Sequence, residues 1–166
     1  MVTFVGRVLT PNSTRKFVTV GSQSAAYSLA LGRVMLADLP SEELDEVIDD
    51  ADLRPLTPHT TTSRSELVAE LAWVRRHGYA IEREQTYLGM GCVAVPIHDD
   101  EGRVVAAISA SEEVQKLTSQ RIEALRNELM RVTPSIKKRI LPSSHHGAMR
   151  KATLSGALPL VDKPAS

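Results

Sequence analysis

The side chains best able to do chemistry lie between Glu82 and Ser111. The single cysteine, Cys92, follows Gly91 and could act as a nucleophile at a turn. A strand position beside Val93, however, more often means a small buried hydrophobe. A nucleophilic thiol also needs a base within reach, and His59, His77 and His98 all fall in loop or turn sequence. Glu82 and Glu84 alternate, so on a strand they share a face, where exposed carboxylates are the plain reading. Glu82 matters more if that face also carries Ser109 and Ser111. Those two hydroxyls, at i and i+2, project to one side of a strand and offer a place for a small ligand. Gly89-Met90-Gly91 is too short for a phosphate loop, and neither a dinucleotide fingerprint nor a P-loop occurs, so no cofactor is indicated. His145-His146 lacks the spacing of a metal site. Lys137-Lys138-Arg139 and Arg150-Lys151 read as a solvated helix end and tail.

These residues need a sheet to hold them. The stretch 78–111 reads as three strand-like pieces, 79–85, 92–98 and 103–111. The last two are joined by Asp99-Asp100-Glu101-Gly102, a hairpin signal in which Gly supplies the positive φ. The run 104–108 has almost no polar face, which predicts a central strand buried on both sides. Upstream, 2–9 and 15–21 read as a pair of strands around a Thr-Pro-Asn-Ser turn at 10–13. Residues 25–37 are apolar on nearly every side and predict a buried helix. Gly32 in its middle implies close approach of another backbone or of a ligand.

Pro40-Ser41-Glu42-Glu43 predicts a short helix capped by Ser41 and ending near Ala51. Leu53 to Thr62 is loop-like. Ser63-Arg64-Ser65-Glu66 matches a capping box. The helix it opens puts Leu67, Leu71 and Val74 on one stripe, carries Arg75-Arg76-His77 near its end and meets Gly78 as C′ residue. A last helix starts at Thr118, with Ile122, Leu125, Leu129, Val132, Ile136 and Ile140 stepping by three and four, and Pro134 kinking it. Residues 141–166 have no period and read as a disordered tail. The fold class expected is α+β, an antiparallel sheet flanked by helices around a polar pocket.

The whole chain bounds the function. Its 166 residues suit one domain. Lys plus Arg and Asp plus Glu balance at 20 each, which argues against binding nucleic acid through phosphate contacts. One cysteine permits no internal disulfide and fits a reducing cytoplasm. No signal peptide is visible, and no apolar run approaches the ~20 residues of a membrane helix.

Three ordered motifs then carry a resemblance. The first is Gly21-Ser22, Ala26-Tyr27 and the run from Leu31-Gly32-Arg33 to Ala37. The second is the segment from Leu67 to Gly78-Tyr79-Ala80, then Glu82 and Glu84. The third is Gly89, Cys92-Val93-Ala94-Val95-Pro96-Ile97 and Gly102 to Ser109. Over residues 1–140 the chain resembles the effector-binding domain of the IclR family of bacterial transcriptional regulators, which implies a GAF-like fold.

The resemblance implies no enzyme activity. It implies a small organic acid bound between sheet and helices by Ala30, Leu31, Glu82, Cys92, Ser109 and Ser111, and assembly into dimers or tetramers. The segment around Ala26-Tyr27 and Gly32-Arg33 is most similar to the branch controlling aromatic-acid catabolism, although Gln23-Ser24-Ala25 departs from the Arg-Leu-Pro common there. Relative to that family, the chain lacks the winged helix-turn-helix, the linker helix and the effector domain's first helix and strand. It is therefore expected either as a shortened regulator or as a short protein that binds an effector without touching DNA. Two rivals remain: a small enzyme using Cys92 with Glu82 or Glu84, and a module that pairs with a full-length relative and silences it.

Overall fold

In the computed structural model, residues 1–9 and 18–140 are described. The expected 10–13 turn, the start of the 15–21 strand and the 141–166 tail lie outside them. The described chain is α+β. Strands β1 (Val2–Thr3) and β2 (Gln23–Ser24) form a two-stranded ribbon, prolonged by Phe4 N–H to Ser22 O at 3.0 Å. Strands β3 (Ala80–Arg83), β4 (Met90–His98) and β5 (Val104–Glu113) form an antiparallel sheet in that spatial order. Four α-helices accompany them: α1 (Ala30–Leu36), α2 (Ser41–Asp49), α3 (Arg64–His77) and α4 (Ser119–Ile140).

Because side chains alternate along a strand, the sheet sends two sets of residues to two layers. Ala80 and Ala94 join Ala30 and Val34 of α1 and Leu67, Leu71 and Val74 of α3 in one cluster. Val93 and Val95 join Ile122, Leu125 and Leu129 of α4 in the other. The stripe expected on α3 is therefore the buried one, and that on α4 is buried at Ile122, Leu125 and Leu129, half-buried at Val132 and Ile136 and exposed at Ile140.

Several expectations change. The run 104–108 is not a central strand: β5 lies at the edge of the three-strand order and its residues are half-buried. β4 is central, with Val93, Ala94 and Val95 fully buried. The two runs are similarly apolar, and only pairing on both sides distinguishes the inner one. The 25–37 helix is split into a 3₁₀ turn (Ala26–Ser28) and α1, with Leu29 extended between them. Side chains take the carbonyls that a continuous helix would have used. Ser28 Oγ donates to Ala25 O, Arg33 Nε to Tyr27 O, and Thr86 Oγ1 to Ser28 O.

Gly32 has the close neighbour its position implied, and it is backbone: a Cβ there would overlap the carbonyl group of Ala26. Ser41 is the first residue of α2 rather than its cap, which is Pro40 without a side-chain bond. Ser63 does cap α3, accepting from Glu66 N, and Gly78 ends it at φ 74°. Pro134 does not interrupt α4. Having no N–H, it leaves Met130 O free, and the Thr133 hydroxyl donates to that carbonyl at 2.9 Å.

Candidate functional site

The register of the sheet builds a row. Glu82 on β3 stands opposite Cys92 on β4, and Cys92 stands opposite Ser111 on β5. One step along, Ala80, Ala94 and Ser109 form the parallel row. With strands ~4.8 Å apart, the backbones of Glu82 and Ser111 are about 10 Å apart across a floor of small side chains. The N-terminal end of α1 packs on this floor: Ala30 is buried with Ala80 and Ala94, and Leu31 and Cys92 pack against that cluster. Thus all six candidate residues meet where α1 covers this sheet face, with Ser109 half-buried and Ser111 exposed at the rim.

Glu82 is 5 % exposed, so it is not the solvated strand carboxylate the alternation suggested. Nor does it share its face with Glu84. The strand stops at Arg83, and Glu84 takes a left-handed φ of 58° that ends the alternation. Bonds on every side hold that strained residue: its N–H to Met90 O at 2.7 Å, its carbonyl from Thr57 Oγ1 at 2.6 Å, its Oε1 from Gly89 N at 2.7 Å. The turn so formed aims the N–H groups of Gln85 (2.5 Å) and Thr86 (3.1 Å) at Glu82 Oε1. Burial pushes the Glu82 carboxyl above its ordinary pKa and Glu84 adds to the rise. The two N–H groups and Arg33 pull the other way.

Arg33 is the residue that sequence reasoning passed over. It is 2 % exposed and pairs with Glu70 Oε2 at 3.0 Å, with Nε on Tyr27 O at 2.8 Å. Burial lowers its pKa, opposed by Glu70 and then Glu82. A lone Arg within the apolar 25–37 stretch was the available signal, since a buried guanidinium demands partners. The threonines read as plain loop also act here. Thr61 donates to Glu70 Oε1 at 2.9 Å, and Thr60 to Gln85 O at 2.6 Å. Gln85 Oε1 is buried without a hydrogen-bond partner, an acceptor left over in the same neighbourhood.

Cys92 Sγ lies 3.2 Å from Ser111 Oγ. Burial pushes the thiol pKa up, the Ser111 and Ser109 hydroxyls lower it, and the charge of Glu82 raises it again. Its hydrogen-bonding neighbours are hydroxyls, not an imidazole or a carboxylate, and neither hydroxyl is a base that would turn it into a thiolate nucleophile. His98 sits at the far end of β4, and His59 faces Glu84 at 3.6 Å. Among the described residues no group of three or more His, Cys, Asp or Glu could hold a metal ion. A cavity of about 80 Å³ opens at the opposite end of α1, beside Val34, Asp38, Arg75 and His98. It is distinct from the Glu82 row.

The family model of the bacterial transcriptional regulator IclR C-terminal domain matches residues 1–138. The chain belongs to this family. The HTH-type transcriptional repressor AllR of Escherichia coli is 33% identical over 129 residues, 78% of this chain and 47% of its own length. The HTH-type transcriptional regulator XynR of Escherichia coli is 33% identical over 110 residues, 66% of this chain and 44% of its own. The crystal structure of the Thermotoga maritima IclR superposes with a TM-score of 0.74 at 34% identity, covering 80% of this chain and 53% of that one. This IclR-family chain thus spans about half the length of the curated relatives it matches. Among the described residues, no helix is long and apolar enough to cross a membrane.

Proposed function

We propose that this IclR-family domain binds a small organic acid over the Glu82–Cys92–Ser111 row, and that it associates with copies of itself inside a cytoplasmic transcriptional regulator. DNA would be read by a winged helix-turn-helix elsewhere in that regulator, and the effector would act by preferring one arrangement of the reading heads. The carrying observation is the row itself: a buried carboxyl, a thiol and a hydroxyl in direct register beneath the end of α1. Ser109 and Ser111 suit a carboxylate, which hydroxyl donors hold through charge-assisted bonds. The edge of β5, unpaired among the described residues, supports association. The Ala26-Tyr27 and Gly32-Arg33 motif favours an aromatic acid as the finer choice.

The test is a thermal-shift screen of hydroxybenzoates, protocatechuate, glyoxylate and pyruvate against the protein and its Ser109→Ala/Ser111→Ala variant. An acid at ~100 times its dissociation constant stabilises by ~2.7 kcal/mol, which the double variant should lose. A cooperatively melting protein that no acid stabilises, or a shift that survives in the variant, sinks this assignment of the site.

A further inference from the structure

If the row receives an acid, it must accommodate a second negative charge beside Glu82. The groups facing Glu82 can be counted. From α1 comes Arg33, which also pairs with Glu70 of α3, and from just past the end of its own strand comes Glu84. From β4 comes the Cys92 thiol and from β5 the Ser109 and Ser111 hydroxyls, while Gln85 and Thr86 supply neutral N–H groups. The one cation in that set, Arg33, is already bound to Glu70 at 3.0 Å and to Tyr27 O at 2.8 Å. His59 faces Glu84 instead. One guanidinium therefore serves both Glu70 and Glu82, and nothing in the set remains to neutralise the carboxylate of a bound acid.

Both backbone donors, from Gln85 and Thr86, converge on Oε1 of Glu82, so neither of them occupies the second carboxyl oxygen. An acid seated over Cys92 lies between Glu82 and Ser111, because Cys92 is in register with both. Two carboxylates brought together in a desolvated site do not both stay ionised; they share one proton.

We infer that Glu82 takes one proton from solvent as the acid ligand binds, and donates it in a hydrogen bond to the ligand carboxylate, which itself stays deprotonated. Glu82 is then the specificity-determining residue. It selects ligands that present an acceptor to it, and it makes binding weaken as pH rises. This rests on the acid-binding reading of the same row. It differs in asking for a proton count rather than only for binding.

The experiment has two arms. In the first, carboxyl carbons of ¹³C-glutamate-labelled protein are titrated by NMR without ligand, the Glu82 signal being the one absent from Glu82→Gln. The expected midpoint is above the ordinary Glu value of ~4.3. In the second, pyruvate and 4-hydroxybenzoate are titrated calorimetrically, in buffers of different ionisation enthalpy, from pH 5 to 8. Above the Glu82 midpoint, wild type should take up one proton per ligand and lose affinity about tenfold per pH unit. Glu82→Gln, whose amide can donate at every pH, should bind without proton uptake and with flat affinity.

Acid binding above the Glu82 midpoint with no proton uptake overturns the inference and leaves the acid site standing. Binding of neither probe by a cooperatively melting wild type overturns this inference and the acid site with it. Should Glu82→Gln fail to fold, the wild-type proton count decides alone.

Discussion

At the scale of single residues, the site depends on one guanidinium that satisfies groups from three segments. Arg33 reaches the carbonyl of Tyr27, the carboxylate of Glu70 and, at 3.5 Å, the hydroxyl of Thr61. Arg33 is buried but Glu70 is 36 % exposed, so Arg33→Ala lets Glu70 turn to water and leaves the Tyr27 carbonyl without its donor, which should cost about 1–3 kcal/mol in urea unfolding. Arg33→Ala combined with Glu70→Gln should cost clearly less than the sum of the single changes, which a double-mutant cycle measures. A sum that holds would mean the pair is not coupled. Cys92 gives the complementary prediction. With its thiol held above the usual range by burial, alkylation by iodoacetamide at pH 7 should run no faster than for free cysteine. A faster rate would revive the catalytic reading of the thiol.

At the scale of elements, much of the layout was legible because strong local chemistry agreed with the tertiary result. The α3 boundaries show this: a Ser cap, a stripe of Leu67, Leu71 and Val74, and a left-handed Gly78 all pointed one way. The break at Leu29 was not legible. It depends on Thr86 and Arg33 reaching backbone carbonyls from a distance, which no local pattern encodes. Glu82 was legible as a candidate but not as a buried one, because its burial comes from sharing with Ala80 the sheet face that α1 covers, which the strand's own pattern does not reveal. Which apolar strand lies inside was likewise set by pairing, not by hydropathy. Gly32 turns this difference into a test. Helix propensity alone says that Gly32→Ala gains up to ~1 kcal/mol. A Cβ overlapping the Ala26 carbonyl forces the 3₁₀ turn away, a cost of about 1–3 kcal/mol, and the overlap should win. A raised urea midpoint for this variant would show that the turn yields freely.

At the scale of the whole molecule, its carboxyl groups set opposing pH dependences. Asp99, at the β4–β5 hairpin, is held at about 2: burial raises it, but bonds from Arg103 and from the Glu101 N–H outweigh that. Glu112 is lowered, first by its hydrogen bond from Arg121 at the start of α4. Groups depressed in the folded state stabilise it above their unfolded pKa. That contribution fades as pH falls from ~4 toward 2. Glu82 has the opposite sign. Raised by burial, it favours the folded state fully only below its unfolded value near 4.3, and that contribution is lost as pH climbs through its folded pKa. The depressed pair and Glu82 therefore pull in opposite directions, the pair favouring the folded state above pH ~4 and Glu82 withdrawing its contribution as pH rises. Urea midpoints recorded from pH 2.5 to 8 should show Glu82→Gln matching wild type at pH 4 and becoming progressively the more stable of the two above pH 5. Asp99→Asn should differ from wild type by a constant amount above pH 5, and the gap should close as pH approaches 2. A Glu82→Gln curve parallel to wild type above pH 5 would mean that the buried carboxyl titrates normally, and that the site carries its negative charge without help from a proton.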